Sequence, residues 1–202
     1  MERKTLAALR REAEKRNENL KGGAGWRTVD FALYFLMIVL IMLSVRAVLI
    51  DPVRVDGQSM ENTLENGEVM LVDRAAYAFA SPKRGDIVLC YYPDAYYEEN
   101  KLAYATRVKR VVAVAGDTIV LENGVVYVNG EALDEPYVDP QHVDRNTFKD
   151  FGTVPEGCVF VLGDNRAVSR DSKYSSVGPI PLERVVGKVR LVIYPLKNLK
   201  LV

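Results

Sequence analysis

The feature that most limits what this chain can become is the run "VDFALYFLMIVLIMLSVRAVLI", from Val29 to Ile50, set behind a basic amino-terminal stretch. A helix of roughly 20 apolar residues covers the hydrocarbon core of a bilayer. Phe31 to Ile50 have that length with one charge, Arg46, close enough to the end for its long side chain to reach the headgroups. Ahead of it, "MERKTLAALRREAEKRNENLKGGAGWR" carries Arg3, Lys4, Arg10, Arg11, Lys15, Arg16, Lys21 and Arg27. Such an excess of positive charge keeps its own end in the cytoplasm and sends everything after Asp51 to the outer face. A cleavable leader would have a shorter apolar core and small residues at a cut site just beyond it. This segment runs on into "DPVRVDG", so it is expected to stay attached as an anchor. A buried core helix of a soluble protein is the competing reading, and the length and basic flank disfavour it. The expected division is a cytoplasmic tail over 1–28, a transmembrane helix over 29–50 and an extracytoplasmic domain over 51–202. In the tail, helical character is expected to stop at Gly22 and Gly23, before Trp26 at the headgroup level.

The bulk charge is balanced, 27 Lys+Arg against 27 Asp+Glu, so nothing in it calls for nucleic acid or an acidic partner. About 150 residues follow the anchor, enough for one globular unit with its own core. Their pattern is short β-rich runs: "EVMLVDR", "GDIVLCYY", "TRVKRVVAVAGDTIVL", "GVVYVNG", "CVFVLGD" and "VVGKVRLVIYP". Turn signals separate them at Asn66-Gly67, Gly85-Asp86, Gly116-Asp117, Asn123-Gly124, Asn129-Gly130 and Gly163-Asp164. The fold class expected is therefore mainly β, an antiparallel sheet domain. "TIVLENGVVYVNGEAL" is the clearest hairpin. It is assigned, with the polar loop "DEPYVDPQHVDRNTFKDFG", to an inserted β-hairpin subdomain over about 118–160. The ending "PLKNLKLV" suits either a terminal strand or contact with lipid.

Chemistry is limited by what is missing from the composition. The single histidine, His142, lies in the loop "DPQHVDRN", which removes a Ser-His-Asp triad. The two cysteines, Cys90 and Cys158, lack metal-ligand spacing, so no metal and no cofactor is expected. They fit a disulfide or two buried thiols equally well. What stands out is "GQSMENTL", which places Ser59 a few residues beyond the anchor, and "RVKRVVAVAG", which places Lys109 at the head of an apolar strand. Alternation puts Val111, Ala113 and Ala115 on the same face as Lys109. Burial penalises an ammonium ion, and bringing a lysine toward neutrality takes about 4 kcal/mol. A lysine so placed can take a serine's proton. Read alone, the strand equally allows Lys109 and Arg110 to be ordinary charges reaching water.

Taken in order behind an anchor, "GQSMENTL", "RGDIVLCY", "KRVVAVAGD" and "GDNRAVSRDSKY" resemble the successive boxes of bacterial type I signal peptidases. The likeness runs from about Arg27 to the end. It implies a catalytic domain of the signal-peptidase and LexA-like type, a membrane-bound serine endopeptidase that removes signal peptides from secretory preproteins. Carried over by position, it makes Ser59 the nucleophile and Lys109 the general base, acting through an acyl-enzyme. It makes Arg110 and Asp164 a structural ion pair, Ser169 the hydroxyl that orients the lysine amine and Asp171 the acid that braces the region. Val55, Met60 and Val108 would wall shallow pockets for small residues, as in Ala-X-Ala sites. The eukaryotic secretory relatives carry histidine where Lys109 stands, which points to a bacterial plasma membrane. Preproteins and lipid are the partners implied, for a protein acting as a monomer and without nucleic acid.

Three positions depart from the family pattern. Asn62 replaces a proline after the nucleophile. Gly57 stands where some members place an oxyanion-hole serine, leaving the second oxyanion donor unassigned. Lys173 replaces an arginine, so a bidentate partner for Asp171 is lost or supplied by Arg170. Two alternatives remain in view: a self-cleaving repressor-type Ser-Lys peptidase, which would need a DNA-binding head, and a non-catalytic membrane-anchored scaffold of the same fold.

Overall fold

The structure is a computed structural model that describes residues 2–92, 106–143 and 145–202. The side chains of Trp26, Arg46 and His142, for which roles were considered above, lie outside what it describes. Two compact units divide at Val48 and Leu49.

The first unit is one helix, α1 (Glu2–Leu49). It does not stop at Gly22 and Gly23 as the sequence suggests. Each glycine costs about 1 kcal/mol relative to alanine in a helix, which the flanking Leu, Lys, Glu and Ala residues outweigh. The window Arg27–Ser44 is long and apolar enough to cross a membrane, and none of it is buried within the protein. Phe31, Leu33, Phe35, Ile38 and Leu40 are all exposed, a surface that water would penalise and lipid would not. The Ser44 hydroxyl donates to the Leu40 carbonyl at 2.7 Å, which removes its need for water inside this stretch.

The second unit is built on β strands: β1 (Ile50–Arg54), β2 (Val69–Asp73), β3 (Ile87–Tyr91), β4 (Thr106–Val114), β5 (Thr118–Glu122), β6 (Val125–Val128), β7 (Glu131–Ala132), β8 (Phe148–Thr153), β9 (Cys158–Leu162), β10 (Ile180–Pro181), β11 (Val185–Tyr194) and β12 (Lys200–Leu201). Every pairing is antiparallel. The main sheet runs β1-β2-β11-β3-β4-β9-β10, with β12 on β11, and the smaller sheet runs β7-β6-β5-β8. The smaller sheet thus spans Thr118 to Thr153, while Cys158–Leu162 belongs to the main sheet through β4. Its β5-β6 hairpin has Ile119 opposite Val128 and turns on Asn123-Gly124, both at positive φ.

Two strands lie where the sequence reads otherwise. β1 contains Pro52, which cannot donate to a ladder, and it is tolerated because β1 is the edge of its sheet. β8 forms the end of what reads as a polar loop. It has almost no buried face, so alternation is absent, and it is held by its pairing with β5 and by Phe151 set edge-on to Phe160 at 4.9 Å.

Apolar packing anchors the future site from below. Met60 and Leu64 are buried with Val55, Met70, Ile87 and Leu89 in one cluster, so the turn carrying Ser59 is pinned at both ends. On β4 a register shift between Val111 and Ala113 breaks the expected single face. Val111 packs with Val88 and Val161, but Val112 and Ala113 both turn to the cluster beneath the smaller sheet. Cys90 and Cys158 are free thiols, not a disulfide. Burial pushes the Cys90 thiol up to about 12, so it stays protonated.

Candidate active site

The turn from Gly57 to Leu64 is closed by backbone bonds from Glu61 to the Gln58 carbonyl and from Leu64 to the Met60 carbonyl. Asn62 adopts φ +85, a left-handed value that asparagine tolerates and proline cannot reach. The turn here is therefore of another shape than one built on proline at that position. Gly57 N–H is committed to the Asn66 side chain at 3.1 Å.

β4 brings the second group. Lys109 is 1% exposed, and its Nζ lies 2.5 Å from Ser59 Oγ. Burial drives its amine down to about 8, against the pull of Asp171 and Asp164, which favour the charged form. Arg110, the next residue, has a different environment. Its Nε donates to Asp164 Oδ1 at 2.9 Å and its Nη2 to Asp164 Oδ2 at 2.7 Å, a two-point pair on an almost wholly buried carboxylate. Arg110 also donates to the Gly85 carbonyl and to Thr63 Oγ1, each at 3.2 Å, and Thr63 in turn donates to Asp164.

The loop after β9 closes the site. Asn165 N–H donates to the Ser59 carbonyl at 3.1 Å, and its side chain donates to Glu61 at 3.2 Å. Asp171 is fully buried and accepts from Gly163 N–H at 3.0 Å. Lys173 Nζ stands 3.8 Å from Asp171, a single long contact where an arginine would give two short ones. Ser169 is buried against Gly163, but its Oγ has no hydrogen-bond partner among the described residues, so the bond to Lys109 that the resemblance implies is not made here. Val55, Met60, Val108 and Ser59 line one cleft of about 290 Å³. A larger cavity of about 560 Å³, lined by Leu121, Val143, Lys149, Arg166 and Tyr174 among others, contains neither Ser59 nor Lys109. Among the described residues no cluster of His, Cys, Asp or Glu could hold a metal ion.

Comparison with known proteins gives the same direction. The family model described as signal peptidase, peptidase S26, matches residues 28–194. The chain belongs to this family, as a type I signal peptidase. Signal peptidase I T of Bacillus subtilis is 32% identical over 93% of this chain and 97% of its own length. Signal peptidase I of Bacillus caldolyticus is 36% identical over 71% of this chain and 79% of its own. A solved signal peptidase I from Enterococcus faecalis, 28% identical, superposes on 54% of this chain and 96% of its own at a TM-score of 0.44. The family's activity is signal peptide removal by a membrane-anchored serine endopeptidase, and this chain is such a hydrolase.

Sequence reasoning passed over one residue beside the site. Gly163 reads as the start of a turn, yet its role is closeness: a Cβ there would lie 2.2 Å from Ser169 Oγ and 2.4 Å from the Ser59 carbonyl. Only glycine lets the loop press on the Ser59 peptide. The signal available was the adjacency of Gly163 to Asp164, the predicted partner of Arg110.

Proposed function

We propose that Ser59 is the nucleophile and Lys109 the general base in the cleavage of secretory preproteins. The observation that carries this is the 2.5 Å contact between a 1% exposed amine and a serine hydroxyl, with the amine's pKa lowered to about 8. Neutral Lys109 accepts the Ser59 proton as Oγ attacks the scissile carbonyl. The ammonium then gives that proton to the departing amine of the mature protein, leaving an ester on Ser59. Lys109, neutral again, takes a proton from water, whose oxygen displaces Ser59 and releases the signal peptide. The Ser59 N–H serves as one oxyanion donor. Arg110 and Asp164 fix the loop, and Asp171 holds Gly163 in place; Ser169 packs beside them as a supporting residue.

Two strand edges without a partner strand among the described residues support an extended substrate. β1 has only β2 beside it among the described strands, and the half of β4 from Thr106 to Lys109 extends past its pairing with β9. A peptide laid between them would bring its backbone to Ser59 with alternate side chains facing the cleft. Val55, Met60 and Val108 then favour small residues before the cut, of the Ala-X-Ala kind. In this reading residues 1–28 are cytoplasmic, 29–50 cross a bacterial plasma membrane, and 51–202, with the smaller sheet over 118–153 as an insertion, work as a monomer on the outer face. The test is cleavage of a purified preprotein by the full chain in lipid, against Ser59→Ala and Lys109→Ala. Loss in both variants is expected; cleavage by either at the wild-type rate rejects the assignment.

A further inference from the structure

Between β7 and β8 the chain makes an excursion whose residues Glu135 and Tyr137 reach the catalytic loop from behind. The Tyr137 ring lies under the Arg110 guanidinium, 3.8 Å from centroid to Cζ. Its hydroxyl donates to Glu135 at 3.0 Å, and its carbonyl accepts from Asn62 Nδ2 at 3.4 Å. Glu135 is paired with Arg166, both almost fully buried, and Arg166 Nε donates to the Gly163 carbonyl at 3.1 Å. Two neighbouring residues therefore touch the turn that carries Ser59, the face of Arg110 left open by its bonds to Asp164, and, through Arg166, the Gly163 peptide. Neither lines the cleft at Ser59.

We propose that Tyr137, backed by Glu135, is a positioning residue for the Ser59–Lys109 reaction. The edge of the Arg110 guanidinium is taken by Asp164, Thr63 and Gly85; the aromatic ring covers a face, where cation–π attraction and exclusion of water hold it still. A fixed Arg110 fixes Asp164, whose neighbours Gly163 and Asn165 press on and hydrogen-bond to Ser59. Burial and the Glu135 carboxylate both raise the Tyr137 pKa, so its hydroxyl remains a neutral donor to that carboxylate. Displacements of about 1 Å at a nucleophile can cost about 100-fold in rate, so a brace two contacts away acts on turnover more than on affinity.

The proposal rests on the dyad reading, and the experiment separates the two. Full-length Tyr137→Leu, Tyr137→Phe, Glu135→Gln and Ser59→Ala are assayed in lipid on one preprotein, with kcat and KM resolved and melting followed in parallel. Tyr137→Leu is expected to lower kcat about tenfold with KM within about twofold, and Tyr137→Phe, which keeps the ring, to recover most of that loss. An unchanged kcat in folded Tyr137→Leu, a loss confined to KM, or a Phe variant as slow as Leu overturns it. Should Tyr137→Leu not fold, Glu135→Gln decides: a severalfold drop in kcat supports the brace and wild-type kcat rejects it. Cleavage by Ser59→Ala rejects the dyad itself, whereas an inactive Ser59→Ala beside a fully active Tyr137→Leu rejects the brace alone.

Discussion

Lys109 and Arg110 are neighbours on β4 that point to opposite faces, and each face deals with a cation differently. On one, Arg110 is met by a carboxylate at two points, two further oxygens and an aromatic ring, so its charge is fully compensated. On the other, Lys109 is buried against a serine, with Asp171 and Asp164 close enough to act through space but, among the described residues, no carboxylate in hydrogen-bond contact with its amine. Arginine is not deprotonated in proteins, so only the lysine face can host a base. On the proposed reading the contrast divides labour along one strand: Arg110 would give position, and Lys109 would give proton transfer.

Exchanging the lysine should break that contrast most severely. Lys109→Met keeps the volume and removes the base, and cleavage is expected to fall by at least about 10³-fold. The same variant should be more stable. The folded pKa of about 8 lies below the ordinary 10.5, so the folded state binds the proton less tightly than the unfolded one. Below pH 8 the cost of burying the ammonium is borne in full, and it fades as pH rises from 8 to 10.5. A gain on the order of 3 kcal/mol at pH 7, shrinking above pH 8, is expected in denaturant melts.

Next in size is Gly163→Ala, whose Cβ would collide with the Ser59 carbonyl and Ser169. A rate loss of about 100-fold with a preserved fold is expected, measured as kcat alongside circular dichroism. Asp171→Asn should have a subtler effect. Asp171 holds the Lys109 pKa up, so removing its charge lowers that pKa, and the rising limb of the pH–rate profile should move to lower pH. A limb that moves upward would contradict the role given to Asp171. The smallest change is expected for Asn62→Gly, which accepts φ +85 without strain; stability should stay within about 0.5 kcal/mol in thermal melts.

How much of this was legible varied with how local its cause is. The long apolar helix followed from length and composition alone, and the β5-β6 hairpin from Asn123-Gly124, because both are properties of short contiguous stretches. Ser59 and Lys109 could be singled out by residue type and by the lack of a usable histidine, though the motif order did most to join them. The break at Gly22-Gly23 was misjudged because a local penalty of about 1 kcal/mol per glycine was set against nothing, while a helix is cooperative over many turns. β8 and the bulge after Val111 were not legible, since each depends on what a distant strand offers for pairing. The shape of the turn that carries Ser59 was also hidden. In the sequence Asn62 is only a departure from the family's proline, but in the fold it is a left-handed residue tied to Tyr137.

The most direct measurement is the titration of the Lys109 amine itself, by NMR of isotope-labelled lysine in the full chain, with Lys109→Met assigning the signal. A pKa near 8, well below that of the exposed lysines, is expected. A value near 10.5 would contradict the account, because at neutral pH fewer than about one amine in a thousand would then be uncharged and able to take the proton from Ser59, against roughly one in ten for a pKa near 8.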